Sequence, residues 1–126
     1  MSGYVLRQID ELASIHGGLV KLAGAELGVA SFGMQVLDLP PGFDAYPEHD
    51  HSDSGQEEVY LALRGSVEFE VDGERGTLEP GAILRVAATA RRSLRPGADG
   101  ARVLALGGTP GALYERPADF EVAVSS

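Results

Sequence analysis

Val67-Glu68-Phe69-Glu70-Val71-Asp72-Gly73-Glu74 is the stretch from which the fold reads most directly. Apolar Val67, Phe69 and Val71 alternate with Glu68 and Glu70, so a strand here buries one face and wets the other. Asp72-Gly73 then supplies the positive φ angles that a two-residue type I′ turn demands. The stretch is therefore the first half of a β-hairpin. Outward from it, apolar runs alternate with Gly, Pro and Asp punctuation at short intervals, the pattern of an all-β sandwich or barrel. The expected strands are Leu19–Leu22, Val29–Leu39, Asp44–His51, Glu57–Leu63, Ser66–Val71, Gly76–Leu78, Ile83–Val86, Ser93–Arg95 and Arg102–Leu106. Pro40-Pro41-Gly42 and Glu79-Pro80-Gly81 turn the chain on either side of the central section. Helical periodicity is confined to Ile9–Ile15, where one or two turns are expected before Gly17-Gly18 ends them.

Composition agrees. The 126 residues hold seventeen Gly and seven Pro, an excess that suits many tight turns. The length suits one domain over residues 1–126 that folds without disulfides. The net charge of −9 repels phosphate backbones, and Arg91, Arg92 and Arg95 form too small a cluster for a nucleic-acid footprint. No apolar run is long enough to span a bilayer. Met1–Glu11 lacks the pattern of a secretory signal, and with no Cys in the chain a cytoplasmic protein is expected. The absence of Cys also removes thiolate zinc sites and cysteine nucleophiles.

Two of the three His stand two apart, in His49-Asp50-His51. On a strand these side chains share a face, so both imidazoles can converge on one point. Glu58 follows seven residues later across a polar loop, where an antiparallel neighbour could bring its carboxylate beside the rings. Two imidazoles and a carboxylate, with open positions opposite, suit Fe(II), Mn(II), Ni(II) or Zn(II). His16 stands alone and is expected at the surface. Asp44, Glu48, Asp50, Asp53, Glu57 and Glu58 put six acids within fifteen residues. All but Glu58 read as a solvated rim.

The longer pattern is Gly42, six residues, His49-x-His51, six residues, Glu58, six residues, Gly65. It resembles the first motif of the cupin superfamily, which runs Gly, about five residues, His-x-His, about three or four, Glu, about six, Gly. The Glu58-to-Gly65 spacing matches, and the two upstream gaps are longer. The second cupin motif is echoed only in part. Pro80-Gly81 and the apolar strand Ile83–Val86 are similar, but Ala87-Ala88-Thr89 replaces the usual Pro-x-Gly and Arg92 stands at the histidine position. The resemblance covers about Met34 to Leu106.

What the resemblance implies is a small all-β cupin, a jelly-roll-like double-stranded β-barrel with its site in the open mouth. It also implies a homodimer that pairs through an outer sheet and an exchanged terminal strand. His49, His51 and Glu58 are the expected ligands of a divalent metal ion, and through it of a small organic molecule, with dioxygenase- or isomerase-like chemistry open to it. Arg92 and Tyr60 are expected to line the ligand site, Arg92 because strand parity with Leu94 turns it inward. The alternative is a metal-free cupin that binds or senses a small molecule, with Arg92 pairing Glu58 or an anionic ligand. A third reading makes the barrel chiefly a self-association or partner-binding module.

Overall fold

A computed structural model describes residues 3–44 and 46–122. Its strands are β1 (Ser14–Ile15), β2 (Val20–Lys21), β3 (Gly33–Leu39), β4 (Glu57–Val71), β5 (Glu74–Leu78), β6 (Ile83–Val86) and β7 (Arg92–Gly108), with one short helix, α1 (Ala23–Leu27). All pairings are antiparallel, in the order β1-β2-β3-β7-β4-β5, and β6 pairs with the first half of β4. Strand pairing does not close this sheet into a barrel, an arrangement compatible with a jelly roll.

The hairpin at Val67–Glu74 forms as its residues require. Val71 pairs with Glu74, and Asp72 and Gly73 take φ of 49° and 84°. The two strands expected at Glu57–Leu63 and Ser66–Val71 are one strand, as are those at Ser93–Arg95 and Arg102–Leu106. Register shifts at Ala62/Arg64 and Gly65/Val67 take the place of the expected breaks. They change which side chains face inward: Tyr60 and Ala62 are buried before the irregularity, Val67 after it. Gly65, the last residue of the first motif, has φ 72°, and a side chain there would clash with the Gly100 carbonyl.

Because β4 and β7 bend, one core gathers Leu37 and Leu39 of β3, Tyr60, Ala62 and Val67 of β4, Leu78, Val86, and Leu94, Val103 and Ala105 of β7. A second cluster lies on the opposite face of β3 and β7, where Leu12, Ala23, Val36, Ile9, Met34 and Leu104 pack together. The N-terminal segment and α1 cover that face. Arg102 fastens the segment by donating to both Asp38 oxygens (2.8 and 3.0 Å) and to Asp10 (2.6 Å).

Several expected elements differ. Ile9–Ile15 makes only a 3-10 turn at Ile9–Glu11 before β1 begins, because β1 and β2 pair around His16–Gly18. Helix α1 was not expected; its Gly24 lies against the Met34 backbone, a close approach that short-range apolar periodicity does not report. The strand expected from Val29 starts only at Gly33. The strand expected over Asp44–His51 is absent apart from one bridge at His49, and Ala45 within it lies outside the described residues. Pro47 interrupts that segment and has no N–H to offer a ladder.

Candidate metal centre

His49 and His51 reach one point although their segment is not a regular strand. Three backbone hydrogen bonds position it. His49 N–H donates to the Arg92 carbonyl (3.0 Å), Arg92 N–H donates back to that of His49 (2.8 Å), and His51 N–H donates to the Ala88 carbonyl (2.8 Å). The residue between them is out of register with the cluster, so the i and i+2 side chains share a side as in a strand. Their ring centroids are 5.0 Å apart at 83°.

Glu58 comes from the start of β4, where it pairs with Val86 on one side and Gly107 on the other. It is not a direct neighbour of the His segment, as the loop length had suggested. The turn between Val86 and Arg92 intervenes and holds both. One ligand atom from each of His49, His51 and Glu58 lies within 4.8 Å of the others.

The His49 ring is oriented for coordination. His49 Nδ1 lies 2.9 Å from the Pro47 carbonyl, so this nitrogen carries the proton and leaves the other ring nitrogen its lone pair. His51 Nε2 lies 3.0 Å from Glu58 Oε1, a hydrogen bond whose proton a bound ion would displace. Two donors each about 2.1 Å from one ion, at right angles, are separated by about 3.0 Å. The three side chains therefore fit a divalent ion and could hold one.

Tyr60, fully buried, donates its hydroxyl to Glu58 Oε1 at 2.6 Å. Burial and the nearby Tyr46 and Glu58 push its phenol far above the ordinary range, so it stays a neutral donor. Tyr46, whose ring lies 5.8 Å from that of His49, is pushed up to about 12, first by burial and then by the Glu58 charge. Tyr60 thus holds the carboxylate from beneath, and Tyr46 closes one side of the imidazole pair.

Arg92 points inward and Arg91 outward, as parity indicated. Arg92 is 0% exposed, with Nη2 donating to the Ala87 carbonyl (3.0 Å) and Nε 3.8 Å from Glu58 Oε1. That last distance is an ion pair and too long for a hydrogen bond. Arg91 instead reaches Glu48 at 2.9 Å on the surface. The acidic rim is less bare than the local sequence implies: Arg91 also lies 3.8 Å from Asp50, and Arg85 binds Glu57 at 2.7 Å. Both arginines are distant in sequence, so the fifteen-residue window does not contain them. His16 is exposed.

Two contributors escaped the sequence reading. The Pro47 carbonyl sets the His49 tautomer, and backbone acceptors leave no mark in residue type. Gly107, opposite Glu58, makes room for the Gln56 side chain, which a Cβ at 107 would meet at 2.5 Å. Two clefts, of about 310 and 500 Å³, lie away from the cluster. The larger is lined by His16, Pro40, Phe43, Arg64 and Asp99, at the far end of β3. The converging donors lie outside both clefts.

Comparison with known proteins agrees on the fold. A model of the cupin domain family matches residues 35–106. A crystal structure of a cupin protein from Bacteroides fragilis is similar over 100% of both chains, with 22% identity and a TM-score of 0.68. A sugar phosphate isomerase from Silicibacter pomeroyi is similar over 79% of this chain and 73% of its own, with 19% identity and a TM-score of 0.64. A structure of DMSP lyases is similar over 64% of this chain and 40% of its own, with 28% identity and a TM-score of 0.56. Comparison with curated proteins gives no match. Among the described residues no helix is long and apolar enough to cross a membrane.

Proposed function

Since the chain belongs to the cupin domain family, we propose that His49, His51 and Glu58 bind a divalent metal ion, and through it a small organic ligand. The observation that carries this is the meeting of three donor atoms within 4.8 Å, one of them on an imidazole whose other nitrogen is committed to Pro47. His51 and Glu58 side chains are 27% and 12% exposed, so a ligand reaches the cluster from solvent. The likeness to structures named as a lyase and an isomerase supports a small-molecule ligand.

A bound ion of the Fe, Mn, Ni or Zn type would supply Lewis acidity toward a ligand oxygen. The chain's own residues do the rest. Pro47 holds the His49 ring, Tyr60 holds the Glu58 carboxylate, and Arg92 adds positive charge below them. Isomerase- or dioxygenase-like chemistry suits such a set with open positions. The test is metal analysis of the purified protein and of His49→Ala. Near-stoichiometric metal in the first and its loss in the second is the expected result. Equal, substoichiometric metal in both would sink the reading.

The metal-free alternative has one observation in its favour, the approach of Arg92 to Glu58 at 3.8 Å. It requires a melting temperature that added Mn, Fe, Ni or Zn leaves unchanged, since an ion specific to the folded state raises it.

A homodimer and a cytoplasmic setting complete the proposal. On the side of β4 and β6 away from the core, Leu63 and Ile83 are exposed, and so are Tyr4 and Leu6 in the N-terminal segment. Pairing of two copies would cover them. Light scattering on the purified protein reads this directly, and a monomeric mass would refute it.

A further inference from the structure

Among the described residues, Arg92 holds the only buried side-chain nitrogen or oxygen atoms without a hydrogen-bond partner, Nε and Nη1. A guanidinium carries five N–H donors and no acceptor, and burying it with so few partners is costly. The Ala87 carbonyl takes one donor, and Glu58 Oε1 stands off at 3.8 Å. That oxygen is engaged already, by the Tyr60 hydroxyl at 2.6 Å and, while no ion is bound, by His51 Nε2 at 3.0 Å. It cannot move toward Arg92 without leaving them.

Charge adds a second reason. Before any ion binds, Arg92 and Glu58 offset each other. A divalent ion at His49, His51 and Glu58 leaves the cluster with an excess of about two positive charges, at a depth where water screens them poorly. The ion and the guanidinium then repel each other across Glu58. An added anion relieves both the repulsion and the missing acceptors.

Resting on the metal reading above, we infer that this cluster takes its ion together with a small carboxylate, which sits against the ion and offers its oxygens to Arg92. A carboxylate suits the planar, delocalised guanidinium. The small organic ligand is accordingly a molecule that presents a carboxylate. Binding of ion and carboxylate is coupled, and by linkage each raises the affinity for the other by the same factor.

The experiment is calorimetric titration of the purified full chain with Mn²⁺, in sodium acetate and in sodium chloride at equal ionic strength. Wild type is expected to bind Mn²⁺ about tenfold or more tightly in acetate. In R92Q the difference between salts should fall to about twofold or less, and Mn²⁺ in chloride should bind more tightly than to wild type, because the like charge is gone. Measurable Mn²⁺ binding to wild type with equal affinity in both salts overturns this inference and leaves the metal reading standing. So does an R92Q variant that keeps the full acetate effect. Absence of Mn²⁺ binding in either salt, with a normal melting transition, overturns the metal reading and this inference with it. The wild-type comparison decides the matter alone should R92Q fail to fold.

Discussion

Arg92 and His49 exchange both backbone hydrogen bonds across a single antiparallel bridge, at 2.8 and 3.0 Å. Directly opposed residues share a face of the pair. The side chain at position 92 is therefore committed to the side of the imidazoles whatever its identity.

From this, Arg92→His should convert three donors into four and remove the competing charge. Affinity for Zn²⁺ or Mn²⁺ is expected to rise by about tenfold or more. Competition with a chromophoric chelator measures it, and an unchanged or lower affinity would show that position 92 does not face the ion.

Tyr60→Phe keeps the buried ring and deletes the hydroxyl donated to Glu58. A hydrogen bond to a charged group contributes about 1.5–3 kcal/mol, so the variant should be less stable by an amount in that range. Tyr60→Ala should cost about 3–5 kcal/mol through the cavity it leaves. Urea unfolding of both variants gives the comparison. A Tyr60→Phe variant as stable as wild type would mean that the hydroxyl contributes nothing.

Gly65→Ala and Gly42→Ala separate backbone strain from steric clash. Both residues have φ near +72° (72° and 73°), but a Cβ at 42 meets open space and one at 65 meets the Gly100 carbonyl. The expected costs are about 1–2 kcal/mol at Gly42 and clearly more at Gly65. Denaturant midpoints compared at equal slope decide it, and similar losses would rule out the close approach.

Asp10 predicts an acid-sensitive clasp. The Arg102 hydrogen bond, and then its charge, hold the Asp10 carboxyl below its ordinary value of 3.8. A depressed folded-state pKa stabilises the protein at pH values above the ordinary Asp value and loses that contribution as pH falls below it. Asp10→Asn should flatten the decline of stability between about pH 4 and pH 2, leaving the neutral-pH melting temperature little changed. A profile with the same slope as wild type would count against the clasp.

Much of the architecture was legible because it rests on local rules. The Asp72-Gly73 turn and the Val67/Phe69/Val71 alternation specify the hairpin with no tertiary information. The His49-x-His51, Glu58 and Gly65 spacing pointed to the donors that the fold brings together. What could not be read depends on partners remote in sequence. Arg85 and Arg91 neutralise part of the rim from 28 and 43 residues away. Helix α1 packs with Gly24 against the Met34 backbone, and the missing strand before His49 reflects Pro47, which has no N–H for a ladder. Parity placed Arg92 inward, yet its unfilled donors emerge only once every neighbour has a position.

The bend in β4 has a consequence for how the chain tolerates change. Upstream of Gly65 the even-numbered positions Tyr60 and Ala62 are inside, and downstream the odd-numbered Val67 is. Substitution of successive residues with a polar side chain should give an alternating profile of damage whose phase reverses at Gly65. Removing one residue between Ala62 and Val67 would realign the phases, keep the hairpin's apolar face on the core side without the irregularity, and leave the donor cluster's own strand segment as it was. One glycine thus lets the end of the molecule that carries the chemistry and the end that carries the hairpin accept mutations on separate schedules.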